Sequence, residues 1–180
     1  MFEKACIEMV NENMTNQDAI DSFCKKIGVE LPKDYQDFLL KSNGMVFKQH
    51  PCFYIPEIGK AAELLSLYGF NFNDFRGGDL EKTYHYNFNY SLNGSTLVIG
   101  HCYTGGKGNL SVMLVQTDNV TGVYACDLFY DDFFFEESSA ANNTFRIADS
   151  FGEFVNNLEC PQDDGTVYFP QYDFSYSLLK

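Results

Sequence analysis

Apolar residues near the start of the chain recur at helical spacing, whereas those after about residue 95 fall into short strand-like blocks. Ile20, Phe23, Cys24 and Ile27 form one stripe and predict a helix over about 16–27, with Thr15 and Asp18 at capping-box spacing. A second helix is predicted over 32–42. Pro32 suits its first position, and Tyr35, Phe38 and Leu39 share a face that Leu31 extends backwards. Asn43-Gly44 supplies the left-handed residue that ends such a helix.

Cys52-Phe53-Tyr54-Ile55 predicts a strand, and the apolar spacing over Ala61–Tyr68 predicts a helical patch. Residues 79–90 fit a helix through Leu80, Tyr84 and Asn87, and fit a strand through their Tyr/Phe/Asn alternation. Strand patterns then follow at 96–99, 110–115 and 123–127, the last two joined by the turn sequence Asp118–Gly122. Phe145–Ala148 reads as a further strand or an approach to the next element. Ser150 and Glu153 then open a helix, with Phe151, Phe154, Val155 and Leu158 on its buried side. Helices at both ends of a β-meander make the expected class α+β, with a central antiparallel sheet. One domain is expected over 1–180, its core spanning about 15–160 and residues 161–180 forming a C-terminal extension that packs on it.

Composition adds two features. The chain holds 18 Phe and 12 Tyr but no Trp, an aromatic load that serves both a core and an interface. Its formal charge is −13, and residues 118–180 contain 12 of the 25 acids against only Arg146 and Lys180. Such a surface repels phosphate backbones and anionic lipid, so neither nucleic acid nor a membrane is expected as partner. A basic protein is favoured instead. The N-terminal residues show no signal-peptide pattern, and no apolar run is long enough to span a membrane. The six cysteines (Cys6, Cys24, Cys52, Cys102, Cys126, Cys160) have no CxxC spacing and are expected to be reduced thiols in a cytoplasmic protein.

Several pieces together resemble the SUKH superfamily, or Smi–Knr family. The opening helix, Leu31-Pro32-x-x-Tyr35-x-x-Phe38-Leu39 and Ser42-Asn43-Gly44 match its start. Leu97–Gly100, the Gly-rich turn 105–108, the strand 110–115 and Gly122-Val123-Tyr124 resemble its sheet. Ala148-Asp149-Ser150-Phe151-x-x-Phe154 resembles its closing helix. Met45 stands where a second Gly is usual, the frequent Trp is missing, and residues 129–144 look like an insertion. The resemblance implies a SUKH-like fold and, in bacteria, a non-enzymatic immunity protein that neutralises a toxin; fungal members regulate cell-wall synthesis and signalling. No catalytic set is implied.

The candidate chemistry is weighed accordingly. His101–Gly108 suggests a phosphate loop, but Lys107 is misplaced for one and the segment leads into a strand, so a hairpin turn is expected. The His50/Cys52 and His101/Cys102 pairs have no metal-site spacing, and only His101 invites inspection as a nucleophile's partner. Neither a metal nor a cofactor is expected. In 127–137, six aromatic or Leu residues interleave with five carboxylates. That pattern fits an edge strand or loop, and it also fits a docking surface whose acids steer a basic partner. Calcium fits it less well, because the EF-hand spacing is absent. The partner-binding residues expected are Asp127, Tyr130, Asp131, Asp132, Glu136 and Glu137. The expected partner is a basic toxin domain, a nuclease being one kind, met by a monomer or weak homodimer. A regulatory scaffold is the alternative.

Overall fold

The computed structural model describes residues 7–72, 78–88, 96–104, 108–116, 121–126 and 144–178. Its first sheet contains strands β1 (Ile7–Val10), β2 (Met45–Phe47), β3 (Cys52–Ile55), β4 (Lys60–Leu67), β5 (Thr96–Thr104), β6 (Gly108–Gln116), β7 (Thr121–Cys126) and β8 (Thr144–Ala148). The order is β1-β2-β4-β5-β6-β7-β8, with β3 beside the start of β4, and every pairing is antiparallel. Helices α1 (Gln17–Ile27), α2 (Lys33–Ser42), α3 (Leu80–Phe88) and α4 (Phe151–Asn156) accompany it. A separate hairpin joins β9 (Thr166–Phe169) to β10 (Phe174–Ser177). The class is α+β with a large antiparallel sheet, as the hydrophobic pattern predicts.

The helix ends follow local chemistry. Asn16, rather than Thr15, caps α1: its side chain accepts from the Ala19 N–H at 2.9 Å, and Gly28 closes the helix at φ 74°. Pro32 occupies the cap position of α2 rather than the first helical turn, and Asn43 ends that helix in the left-handed region at φ 44°. Ser150 caps α4 through the Glu153 N–H, and the Glu153 carboxylate accepts in return from the Asp149 N–H at 2.7 Å.

Residues 61–68 are the principal departure from expectation. Ala61, Leu64, Leu65 and Tyr68 stand at i, i+3, i+4 and i+7, which reads as a helix face. Residues 61–67 belong instead to β4, with β2 and β3 on one side and β5 on the other. A bulge between Leu64 and Ser66 shifts the alternation, so Ala62, Leu64 and Leu67 all join the main core. Burial inside the sheet overrides the helical spacing.

One face of the sheet carries the helices. Ile20, Phe23 and Ile27 of α1, Tyr35, Phe38 and Leu39 of α2, and Phe151 and Phe154 of α4 share one buried core with Leu64, Ile99, Val112 and Ala125. Phe53 meets Phe154 at 5.4 Å between ring centroids, edge to face. The alternate residues of β3 point the other way. Cys52 and Tyr54 join Ala61, Val167 and Phe169 in a smaller cluster, through which the C-terminal hairpin covers the opposite face. The same turn closes both hairpins: Ile55-Pro56 and Phe169-Pro170 each open a 3-10 turn, which ends at Gly59 and Asp173 in the left-handed region.

The chain from β1 through the start of α3 is held at one polar point. The buried Asn43 amide accepts from the Phe70 N–H at 2.8 Å and donates to the Phe70 carbonyl at 2.9 Å. Asn11, also buried, donates to that carbonyl at 2.8 Å, and its own N–H reaches the Gly44 carbonyl at 3.1 Å. Gly69 lies so close that a Cβ would stand 1.9 Å from the Asn43 carbonyl oxygen. We expect Asn43→Ala to cost on the order of 3 kcal/mol in denaturant unfolding, since it orphans the Phe70 N–H and puts alanine, which tolerates the left-handed region less well than asparagine, at φ 44°. Asn43→Gly, which keeps that backbone geometry, is expected to lose less; an Asn43→Ala loss under about 0.5 kcal/mol sinks this account.

Candidate functional site

Asp127, Tyr130, Asp131, Asp132, Glu136 and Glu137 lie outside the described residues; the residues that bracket them do not. Cys126 ends β7 and Thr144 begins β8, and the two are register partners, with the Thr144 hydroxyl donating to Cys126 Sγ at 3.5 Å. Residues 127–143 therefore connect neighbouring antiparallel strands. They leave the same end of the sheet as the β5–β6 and β3–β4 turns, because each strand reverses the last. β8 also touches β3, far from it in strand order.

The Gly-rich segment and the His/Cys pairs take positions set by the sheet. Thr104 pairs with Gly108, so the Gly-rich segment joins two antiparallel strands rather than opening a helix. His101, half-buried on β5, stands in register with Ser66 and Ser111, while the next residue, Cys102, turns to the opposite face. Cys52 Sγ donates to the His50 carbonyl at 3.5 Å, and His50 Nδ1 lies 3.4 Å from Glu63 Oε2. Burial, with Glu63 nearby, pushes the Cys52 thiol up to about 12. Burial likewise raises Cys102 far above an ordinary thiol. Neither is a thiolate nucleophile at neutral pH. Among the described residues, no group of three or more His, Cys, Asp or Glu is arranged to hold a metal ion.

The expectation of six reduced thiols is corrected. Cys24, Cys52, Cys102 and Cys126 form no disulfide, but Cys160 is disulfide-bonded. Sequence spacing carries no information about which cysteines approach in space. The inference from reduced thiols to a reducing compartment falls with it. No helix among the described residues is long and apolar enough to cross a membrane.

What the structure does bring together is the two ends of the sequence pattern. Tyr35 and Phe38 of α2 meet Phe151 of α4 at 4.9 and 5.2 Å between ring centroids. The Asp34 carboxylate accepts from the Gly152 N–H at 2.6 Å, in the first turn of α4. Tyr35 is fully buried, which raises its phenol well above the usual range, and its hydroxyl faces the Tyr68 carbonyl at 3.4 Å. A cleft of about 220 Å³ opens beside this contact, lined by Asp34, Asp37, Phe38, Phe151, Gly152, Val155 and Asn156. Its Asp34 carboxylate is already engaged by α4. A family model, the SMI1 / KNR4 family (SUKH-1), matches residues 14–157, from just before α1 to just after α4. The chain belongs to that family. The motif helices whose contact has just been described are thus the frame of a SUKH domain. No characterised protein matches the chain closely enough to count as a relative. The family match stops before β9 and β10, which lie beyond the family pattern.

Exposed aromatic residues that the sequence pattern does not single out stand on that hairpin. Tyr168, Tyr172 and Phe174 are among six exposed large hydrophobic residues of the described structure, and they lie within seven positions of one another. Their Tyr/Phe density is visible in the sequence, but not their side of the hairpin.

The thiols supply a direct check. At pH 8 a thiol of pKa about 12 is on the order of one ten-thousandth ionised, against roughly a quarter for an ordinary one. Native protein treated with a thiol-specific reagent is expected to label at Cys24, while Cys52, Cys102 and Cys126 stay unmodified until denaturant is added. Mass spectrometry of the labelled peptides reads this out, and rapid native labelling of Cys52 contradicts it.

Proposed function

We propose that this chain is an immunity protein, acting without catalysis by stoichiometric association with a toxin domain. Family membership carries the reading, since SUKH proteins in bacteria serve in this way and offer a scaffold without a catalytic set. Charge refines it. Residues 118–180 bear 12 acids and 2 bases, which accelerates encounter with a basic partner and disfavours nucleic acid. A nuclease toxin has such a face, because its active surface must attract phosphate. The cytoplasm, where a delivered toxin acts, is the corresponding place of action.

In this reading Asp127, Tyr130, Asp131, Asp132, Glu136 and Glu137 contact the toxin, the carboxylates standing in for phosphates and the aromatic ring supplying an anchor. Their position between two strand ends favours such a role, because the sheet holds both ends of the segment while leaving its sequence unconstrained.

The deciding experiment is rescue. Cells expressing a cognate toxin, sought among the products of neighbouring genes, are expected to survive when this chain is co-expressed. The quadruple variant Asp131→Asn, Asp132→Asn, Glu136→Gln and Glu137→Gln should weaken toxin binding and flatten its salt dependence. Unchanged affinity and unchanged salt slope would remove these residues from the interface, and failure of rescue by the unaltered chain would remove the immunity role.

A further inference from the structure

We propose that the C-terminal hairpin presents a second protein-binding surface, built from Tyr54, Tyr172 and Phe174, that takes an arginine-rich segment of a basic protein. It rests on the reading of this chain as a binder of basic proteins, and it places recognition on a hairpin outside the family pattern.

Three observations support it. The first is an aromatic cluster at the surface. Tyr54 meets Tyr172 at 5.2 Å and Phe174 at 5.3 Å between ring centroids, while Phe169 beneath is fully buried. Tyr172 is 45% exposed and Phe174 39%, so these rings offer open faces rather than filling a core. Tyr168, the register partner of Ser175, faces the other side of the hairpin and stands apart from this cluster.

The second is the charge around them. Burial first, and then Glu57 and Glu153, raise the Tyr172 phenol, which places both carboxylates within electrostatic reach of the ring. Asp173 accepts a hydrogen bond from the Tyr168 hydroxyl at 2.7 Å. The adjoining basic position in the sheet register is Lys60, opposite Ile55, and between Arg146 and Lys180 the chain has no Lys or Arg. Exposed aromatic faces in an acidic segment complement guanidinium groups, which stack on rings while donating to acids.

The third is rigidity. Cys52 and Glu159 exchange backbone hydrogen bonds of 2.7 and 2.9 Å, and Gln49 donates to the Pro161 carbonyl at 2.7 Å. The hairpin then closes with Leu178 N–H on the Gly165 carbonyl at 3.0 Å, while Val167 and Phe169 are wholly buried. The rings are therefore held in place before any partner arrives, which lowers the entropy lost on binding.

The test uses the full chain and two labelled probes of equal charge, an Arg-Gly repeat dodecapeptide and its Lys-Gly counterpart, read by fluorescence anisotropy. The Arg peptide should bind more tightly than the Lys peptide, and Tyr172→Ser with Phe174→Ser should weaken it about tenfold. Tyr172→Leu with Phe174→Leu, which keeps apolar bulk but removes the rings, repeats the test should the first pair disturb folding, which circular dichroism and Tm report. Asp173→Asn with Glu57→Gln should reduce the salt dependence. The quadruple variant in 131–137 should leave Arg-peptide binding unchanged, so loss of toxin rescue and loss of this surface are separable. Equal affinity for both peptides, together with no effect of either aromatic pair, overturns the proposal. So does a concentration-dependent dimer in sedimentation that the aromatic substitutions abolish while peptide binding persists, since the patch would then belong to a second copy of the chain.

Discussion

The amide of Asn43 is the interaction on which the first half of the fold depends. A helix end, an edge strand and the chain leaving β4 must converge there, and each brings backbone groups that cannot reach water. Asn43 offers one acceptor and two donors, and it directs them to Phe70 and Asn13 in the manner of a strand neighbour. It can do so only because its own backbone is left-handed, which ends α2 and turns its side chain toward Phe70. Gly69 completes the arrangement by leaving room for the Asn43 carbonyl. An Ala in either position breaks a different part of one device. The Asn-Gly that reads as a helix terminator is therefore also a tertiary lock.

From that lock the remaining architecture follows in order. α2 is aimed so that Tyr35 and Phe38 lie against Phe151, and Asp34 closes over the first turn of α4. The opening and closing motifs of the SUKH pattern are thus two halves of one contact separated by more than a hundred residues. The sheet between them fills the core from one side with Leu, Val and Phe in alternation. Its other side is free to take the hairpin at β3, and that is where the chain extends past its family.

Hydrophobic spacing is legible wherever one face of an element meets water. α1, α2 and α4 appear within a residue or two of their predicted bounds, and so do β6 to β8; β5 starts where expected and runs on to Thr104. Spacing misleads where an element is buried on both sides or bulged: Ala61, Leu64, Leu65 and Tyr68 imitate a helix because the bulge in β4 breaks the period of two. Capping is legible in kind but not in register, since Thr15 and Asn16 compete and only Asn16 reaches the Ala19 N–H. β1 and β2 are too short to signal themselves. The disulfide at Cys160 depends on proximity that no spacing encodes. For the candidate surfaces, charge and aromatic density mark segments of the chain suited to recognition. Which rings face outward emerges only from the hairpin's register.

The register match of Cys126 with Thr144 has a consequence for how such a protein changes over generations. A loop whose two ends are already neighbours adds little closure entropy as it lengthens, about 0.6 kcal/mol for each doubling. Insertion, deletion and wholesale replacement of 127–143 therefore leave the strands that flank it paired. Changes of length there fall between strands that the sheet already holds side by side, so closure entropy alone sets little limit on how long that connection is.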